Sequence, residues 1–170
     1  MGESYKDQGK TFVWLIAGGP MQKHLAKKLL DDGYKLIISD ANANCECRDL
    51  ASIFLCIDTF DIPAHIAAAD SFLGEICIVS CLTVAADCHF TVAHICRHLG
   101  LSGPSLRLSS ICNDKSEIRK TLLEAKIRQP EYGSCNTFEE SRRLSLKIGF
   151  PCVLKSVDSS GSRGFSLLNG

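Results

Sequence analysis

Residues 11–17 (TFVWLIA) are apolar at nearly every position, the pattern of a strand buried on both faces. Gly18, Gly19 and Pro20 break the run, and the spacing then becomes helical. Met21, Leu25, Ala26, Leu29 and Leu30 share one face, with Lys23, Lys27, Lys28, Asp31 and Asp32 elsewhere. Gly33 stands where a helix commonly ends in a left-handed residue. Residues 35–39 (KLIIS) predict a second strand running into Asp40, and residues 53–57 (IFLCI) a third. Helical spacing returns at Ile62, Ile66, Ala69 and Leu73. Residues 75–82 hold a fourth strand, and residues 87–99 a helix with Val92, Ile95, Cys96 and Leu99 inward, closed by Gly100. Residues 105–109 read as a short extended piece that completes the domain. Strands alternating with helices predict the α/β class, here a doubly wound, Rossmann-like open parallel sheet over residues 11–110.

From residue 112 the grammar changes. Asp114 with Glu117, and Thr137 with Glu140, match the capping box, in which side chains at a helix start satisfy its unpaired amides. Helices are expected at 115–126 and 138–148, with Gly149 capping the second and Pro151 preventing its continuation. Pro130 and Gly133 punctuate the link. A strand at 152–155 (CVLK), a small-residue loop and an apolar run at 165–168 follow. Residues 111–170 are thus expected to begin a second, smaller domain, and the polar residues 1–10 to be a disordered N-terminal segment.

Composition narrows the function classes. The net charge is zero, so bulk electrostatics point to neither nucleic acid nor an anionic membrane as partner. Charge is uneven, with the acidic excess before residue 111 and the basic excess after it. No apolar run approaches the ~20 residues of a membrane-spanning helix, and the polar start lacks a secretory signal's apolar core. A cytoplasmic location is the expectation. The chain has ten cysteines, but Cys45-x-Cys47 has no second pair at a fixed offset, and Cys56, Cys77, Cys81 and Cys152 follow strand-like runs. The pattern favours reduced thiols over a metal centre.

Two constellations could carry chemistry. A dinucleotide turn needs glycine at three places, and counting from Gly18 the second and third hold Pro20 and Lys23. Bulk and charge stand where bare backbone must approach a pyrophosphate, so Asp40, placed like a ribose-binding acid, lacks its companion motif. The second constellation is the loop Ser159, Ser160, Gly161, Ser162, Arg163 and Gly164, between a strand ending in Lys155 and the next apolar run. Small residues let amides approach phosphate oxygens, and hydroxyls, Arg163 and Lys155 add donors and charge. A solvated hairpin loop would share this composition. It is not a Walker A motif, because no G-K-[ST] closes it and no helix follows.

The stretches Gly100-Leu-Ser-Gly-Pro-Ser105, Asn113-Asp114-Lys115, Ile148-Gly-Phe-Pro-Cys-Val-Leu-Lys155 and Ser160-Gly-Ser-Arg-Gly164, in that order, resemble the ATP-grasp superfamily. The resemblance is to its carbamoyl-phosphate-synthetase-like and biotin-carboxylase-like branch. Ile16-Ala-Gly-Gly-Pro-Met21, Asp58-Thr-Phe-Asp61 and Leu82-Thr-Val-Ala-Ala-Asp87 are similar to the Rossmann-like pre-ATP-grasp domain of that branch. The resemblance implies that Lys115 and Lys155 contact ATP phosphates and that the glycine-rich loop folds over them. It implies an ATP- and magnesium-dependent ligase that activates a small-molecule carboxylate as an acyl phosphate and passes it to an amine or other nucleophile. The branch commonly has proline after the second lysine, where this chain has Ser156. Its magnesium-binding carboxylates, adenine-contacting hinge and acyl-phosphate-stabilising arginine are expected beyond residue 170, leaving this chain inactive alone. Asp114 and Asp158 are then a cap and a loop acid. Phe165, Leu167 and Leu168 form an apolar run for which a second copy, in a homodimer, is a candidate partner. A non-catalytic nucleotide-binding or dimerisation module, or an NAD-dependent oxidoreductase, are the rivals.

Overall fold

The computed structural model describes residues 11–158 and 164–170; the expected disordered segment 1–10 lies outside them. The chain divides into two compact units, Met1–Ser109 and Ser110–Gly170.

The first unit is organised by β1 (Thr11–Ile16), which lies inside a four-stranded parallel sheet of order β3-β2-β1-β4. Its partners are β2 (Lys35–Ser39), β3 (Ile53–Leu55) and β4 (Cys77–Leu82). Successive side chains of a strand point to opposite faces, so β1 feeds two cores. Phe12, Trp14 and Ile16 pack with Ala69 of α2 (Ile62–Ser71) and with Val92, Ile95 and Cys96 of α3 (His89–His98). Val13 and Leu15 pack with Leu36, Ile38 and Ala26 of α1 (Lys23–Asp31) on the other face. Covering both faces explains the uninterrupted apolar run, since neither set of side chains meets water.

Four expectations are corrected in this unit. The third strand ends at Leu55 rather than at 57, and the fourth begins at Cys77 rather than at 75. The first strand ends at Ile16, because Ala17 turns into the left-handed region at φ +76°. Residues 105–109 are not extended: they begin α4 (Leu106–Asn113). The Ser105 hydroxyl accepts from Leu108 N at 3.1 Å, and Ser109 N donates to Ser105 O at 3.0 Å. Ser105 is a helix cap whose signal the short apolar pattern hid.

In the second unit, α5 (Lys115–Glu124) and α6 (Phe138–Ile148) precede an antiparallel pair, β5 (Cys152–Lys155) and β6 (Phe165–Leu168). Asp114 accepts from Ser116 N and Glu117 N, and Thr137 from Glu140 N, so both expected caps are present. The Glu140 carboxylate reaches back to Asn136 N at 2.8 Å. Among the described residues no helix is long and apolar enough to cross a membrane.

Helix α5 ends differently from α1 and α3. Gly33 (φ +90°) and Gly100 (φ +67°) supply the left-handed residue after the first two helices, whereas Lys126 (φ +58°) supplies it after α5. The Lys126 and Ile127 amides close the turn on Leu123 O and Leu122 O. A side chain at that φ costs about 1 kcal/mol against glycine. Lys126→Gly is therefore expected to stabilise the protein by about 1 kcal/mol in denaturant melts, and an unchanged or lower midpoint would contradict this strain.

All ten cysteines are free thiols. Cys96 Sγ donates to Cys81 O at 3.8 Å; the neighbouring Cys81 thiol draws the Cys96 thiol down to about 7, while burial pushes Cys81 well up. Both are buried, so the low value does not make Cys96 accessible. A thiol reagent should find ten groups in denaturant. In the folded protein it should modify the exposed Cys56, Cys77 and Cys112 first. Early modification of Cys96, or a zinc ion released only on unfolding, would overturn this assignment.

Candidate functional site

Loops after parallel strands gather at one edge, and ligands of such sheets bind outside the carboxyl ends, where strand order reverses. Here that place lies between β1 and β4. Gly18 is packed tightly: an added Cβ would sit 2.5 Å from Cys45 Sγ and 3.2 Å from Ile38 Cγ2. Its amide donates to Asp40 Oδ2 at 2.7 Å, and its carbonyl accepts from Cys47 N at 2.9 Å. The other Asp40 oxygen accepts from Asn42 N at 2.8 Å. Asp40, at the ribose-acid position, thus holds the loop backbone. Gly19 is the open residue, with nothing within 4 Å of an added Cβ.

Pro20–Gln22 form a single 3₁₀ turn that buries Gln22. The Gln22 Oε1 accepts from Val84 N at 3.1 Å, and Thr83 Oγ1 donates to Ile16 O at 2.8 Å, tying the loop after β4 to the end of β1. Across the edge, Thr91 Oγ1 donates to Thr59 O at 2.7 Å. Sequence reasoning missed Gln22, whose signal was a polar residue on the inward side of an apolar helical stretch.

Beneath this edge runs a buried polar chain. Trp14 Nε1 donates to Ser39 Oγ at 3.1 Å, Ser39 Oγ lies 2.9 Å from His65 Nε2, and His65 Nδ1 lies 2.7 Å from Asp61 O. A carbonyl only accepts, so Nδ1 carries the proton; in the neutral ring Nε2 then accepts from the Ser39 hydroxyl. Every polar atom is satisfied by a neutral imidazole, and burial lowers the His65 pKa. A group whose folded pKa is lowered contributes stability that is complete above its unfolded value of about 6.5 and is lost as pH falls below it. Ring-nitrogen NMR is expected to show His65 still neutral, protonated at Nδ1, below pH 6.5, and stability to decline from pH 7 towards 5. Titration of His65 at or above 6.5 would contradict the assignment.

In the second unit, Lys115 and Lys155 meet the same strand exit. Lys115 N donates to Val157 O at 3.0 Å, and its Nζ lies 3.4 Å from the same oxygen, two residues beyond Lys155. Lys155 sits opposite Phe165 in the β5–β6 register, its ammonium 5.8 Å from that ring's centroid. Gly164 closes the far side at φ +66°, its carbonyl accepting from Ser156 N at 3.1 Å. A Cβ there would approach Ser156 Oγ to 3.1 Å, and that hydroxyl is buried with no hydrogen-bond partner among the described residues. Ser159, Ser160, Gly161, Ser162 and Arg163 lie outside the described residues. The two lysines and Gly164 therefore frame both ends of that loop.

Metal ligands do not assemble: among the described residues no group of three His, Cys, Asp or Glu could hold an ion. Cys96 faces Cys81, His98 Nε2 lies 2.6 Å from Asp70 Oδ1, and His94 packs edge-on against Phe90.

No protein-family model matches the chain. Over 112 residues it is 36% identical to the uncharacterized protein y4rH of Sinorhizobium fredii, covering 65% of this chain and 23% of that protein. Over 159 residues it is 26% identical to formate-dependent phosphoribosylglycinamide formyltransferase of Rhodococcus jostii, covering 93% of this chain and 39% of the relative. Its fold superposes on N5-carboxyaminoimidazole synthetase from Staphylococcus aureus, complexed with ADP. The TM-score is 0.73 at 20% identity, over 95% of this chain and 42% of that one. The chain thus spans about two fifths or less of the length of these relatives.

Proposed function

We propose that this chain, which is similar to about two fifths of the length of ATP-grasp proteins, supplies the phosphate-facing side of the nucleotide site of an ATP-dependent ligase. The parent activity joins a small-molecule carboxylate to an amine or other nucleophile. The observation that carries the reading is that the Lys115 ammonium lies 3.4 Å from Val157 O, two residues beyond Lys155 at the end of β5.

ATP, when bound, supplies the γ-phosphoryl group that activates a carboxylate as an acyl phosphate; such transfer is governed by positioning and charge neutralisation. Lys155 contributes a positive charge from a strand, and Lys115 a second from the first turn of α5, where Asp114 is already engaged as the cap. Gly164 has a left-handed backbone at φ +66°; with ATP bound, the amides and hydroxyls of Ser159, Ser160, Gly161 and Ser162, and the Arg163 guanidinium, would supply donors to the phosphates. No described carboxylate cluster fits magnesium, so no step is assigned to that ion. The carboxyl edge of the first unit, with Gly19 open, takes the small-molecule substrate.

A nucleotide gripped from one side leaves adenine without partners, and ligand sites generally enclose most of their ligand. Calorimetric titration of MgATP into the 170-residue chain is expected to give weak binding, Kd about 1 mM, without turnover. Lys115→Ala and Lys155→Ala should each weaken it about tenfold, read from ATP-induced NMR shifts. Sub-micromolar affinity, or ADP release with carboxylates, would show that this part suffices alone. Binding indifferent to both lysines would remove the phosphate assignment.

The rival is a non-catalytic nucleotide-binding or dimerisation module. It draws on the exposed Phe165 and Leu167 of β6 and would be supported by a sedimentation mass twice that of the chain.

A further inference from the structure

The carboxyl edge of the first unit has an unusual surface for a site that takes charged metabolites. Its four connecting segments, residues 17–22, 40–47, 56–61 and 83–88, contain no lysine or arginine. They contain Asp40, Glu46, Asp58, Asp61 and Asp87. Lys23 opens α1 directly after the first segment, and its charge acts on Cys47, whose thiol donates to Gly19 O at 3.5 Å. The Arg48 guanidinium donates to Ala43 O and stacks on Phe54.

Three large apolar side chains stand in the solvent on these segments. Met21 and Phe60 are each 65% exposed, and Val84 is 39% exposed. They are carried by loops that are fastened in place. Gln22 holds Val84 N at 3.1 Å, and Thr91 holds Thr59 O at 2.7 Å. Asp58 Oδ1 accepts from Phe60 N at 2.8 Å. Exposed apolar groups on fixed loops beside the open Gly19 offer contact area to a ligand without first having to be ordered.

We infer that Met21, Phe60 and Val84 set the substrate class of this edge: an unphosphorylated amine bearing an apolar substituent. The inference rests on the ligase reading, in which the edge takes the small-molecule substrate. A phosphate would bring about two negative charges among aspartates with no arginine or lysine in the loops to receive it. An ammonium group is attracted by the same carboxylates, and its substituent is removed from water by Met21, Phe60 and Val84. In ligation the ammonium gives its proton to solvent, the neutral nitrogen forms a C–N bond with the acyl carbon, and the bond from that carbon to the phosphate oxygen breaks to release inorganic phosphate.

The test is an NMR titration of the 170-residue chain with phenethylamine and, separately, ribose 5-phosphate at matched ionic strength. Phenethylamine is expected to shift the amides of Gly19, Met21, Phe60 and Val84 saturably, while ribose 5-phosphate leaves them in place. The double variant Met21→Ala, Phe60→Ala changes only exposed side chains and should weaken the amine about tenfold. Saturable shifts with ribose 5-phosphate at these amides, or no response to the amine, overturn the inference without touching the ATP assignment. Amine binding in a chain that ignores MgATP at Lys155 sinks the ligase reading instead.

Discussion

Everything in the first unit follows from one strand having no face left for water. Phe12, Trp14 and Ile16 on one side, and Val13 and Leu15 on the other, are all nearly inaccessible. Burying each such side chain is worth about 1.5–3 kcal/mol, which a single covering layer could collect on only one face. Helices must lie on both sides, and strands joined through helices run parallel. Parallel strands send all their loops to one edge. The edge that holds Gly18, Asp40, Thr83 and Phe60 is thus a geometric consequence of the residues that make β1 insoluble.

The polar groups within that core serve the same edge. Ser39 ends β2 and accepts from Trp14, while its hydroxyl serves His65, which is anchored to the start of α2. The next residue, Asp40, grips Gly18 N. A short path of satisfied hydrogen bonds therefore runs from the centre of the sheet to the turn after β1. The second unit is built on a lighter principle. Its β5–β6 pair leaves Val153, Leu154, Phe165 and Leu167 exposed and draws its definition from the strand register and the Asp114 and Thr137 caps.

Much of this could be read from residue order alone. The helix at 138–148 and the strands at 152–155 and 165–168 fall where spacing, Thr137, Gly149 and Pro151 put them, because caps and breakers act through neighbours in sequence. What escaped were properties set by distant residues. Ser105 begins a helix that a five-residue apolar pattern could not distinguish from a strand. Ala17 adopts a left-handed conformation where its amide reaches Ser39 O. Asp40 stands where a ribose-binding acid would, and residue order could not show that its oxygens accept from Gly18 and Asn42. The lysines proposed to face ATP were legible only by resemblance, since Lys115 and Lys155 lie 40 positions apart and Lys115 reaches the end of β5 through the carbonyl of Val157.

The claim on which the account stands is that ATP phosphates lie against Lys115 and Lys155. An acyl-phosphate derivative of ATP transfers its acyl group to lysines that lie within reach of the bound phosphates, and peptide mass spectrometry then identifies them. The account predicts acylation of Lys115 or Lys155, suppressed by excess ATP, with Lys23, Lys27 and Lys28 of α1 labelled only at the background level that ATP does not alter. ATP-protected labelling of α1 lysines, with Lys115 and Lys155 left unmodified, would place the phosphates on the other unit and contradict it.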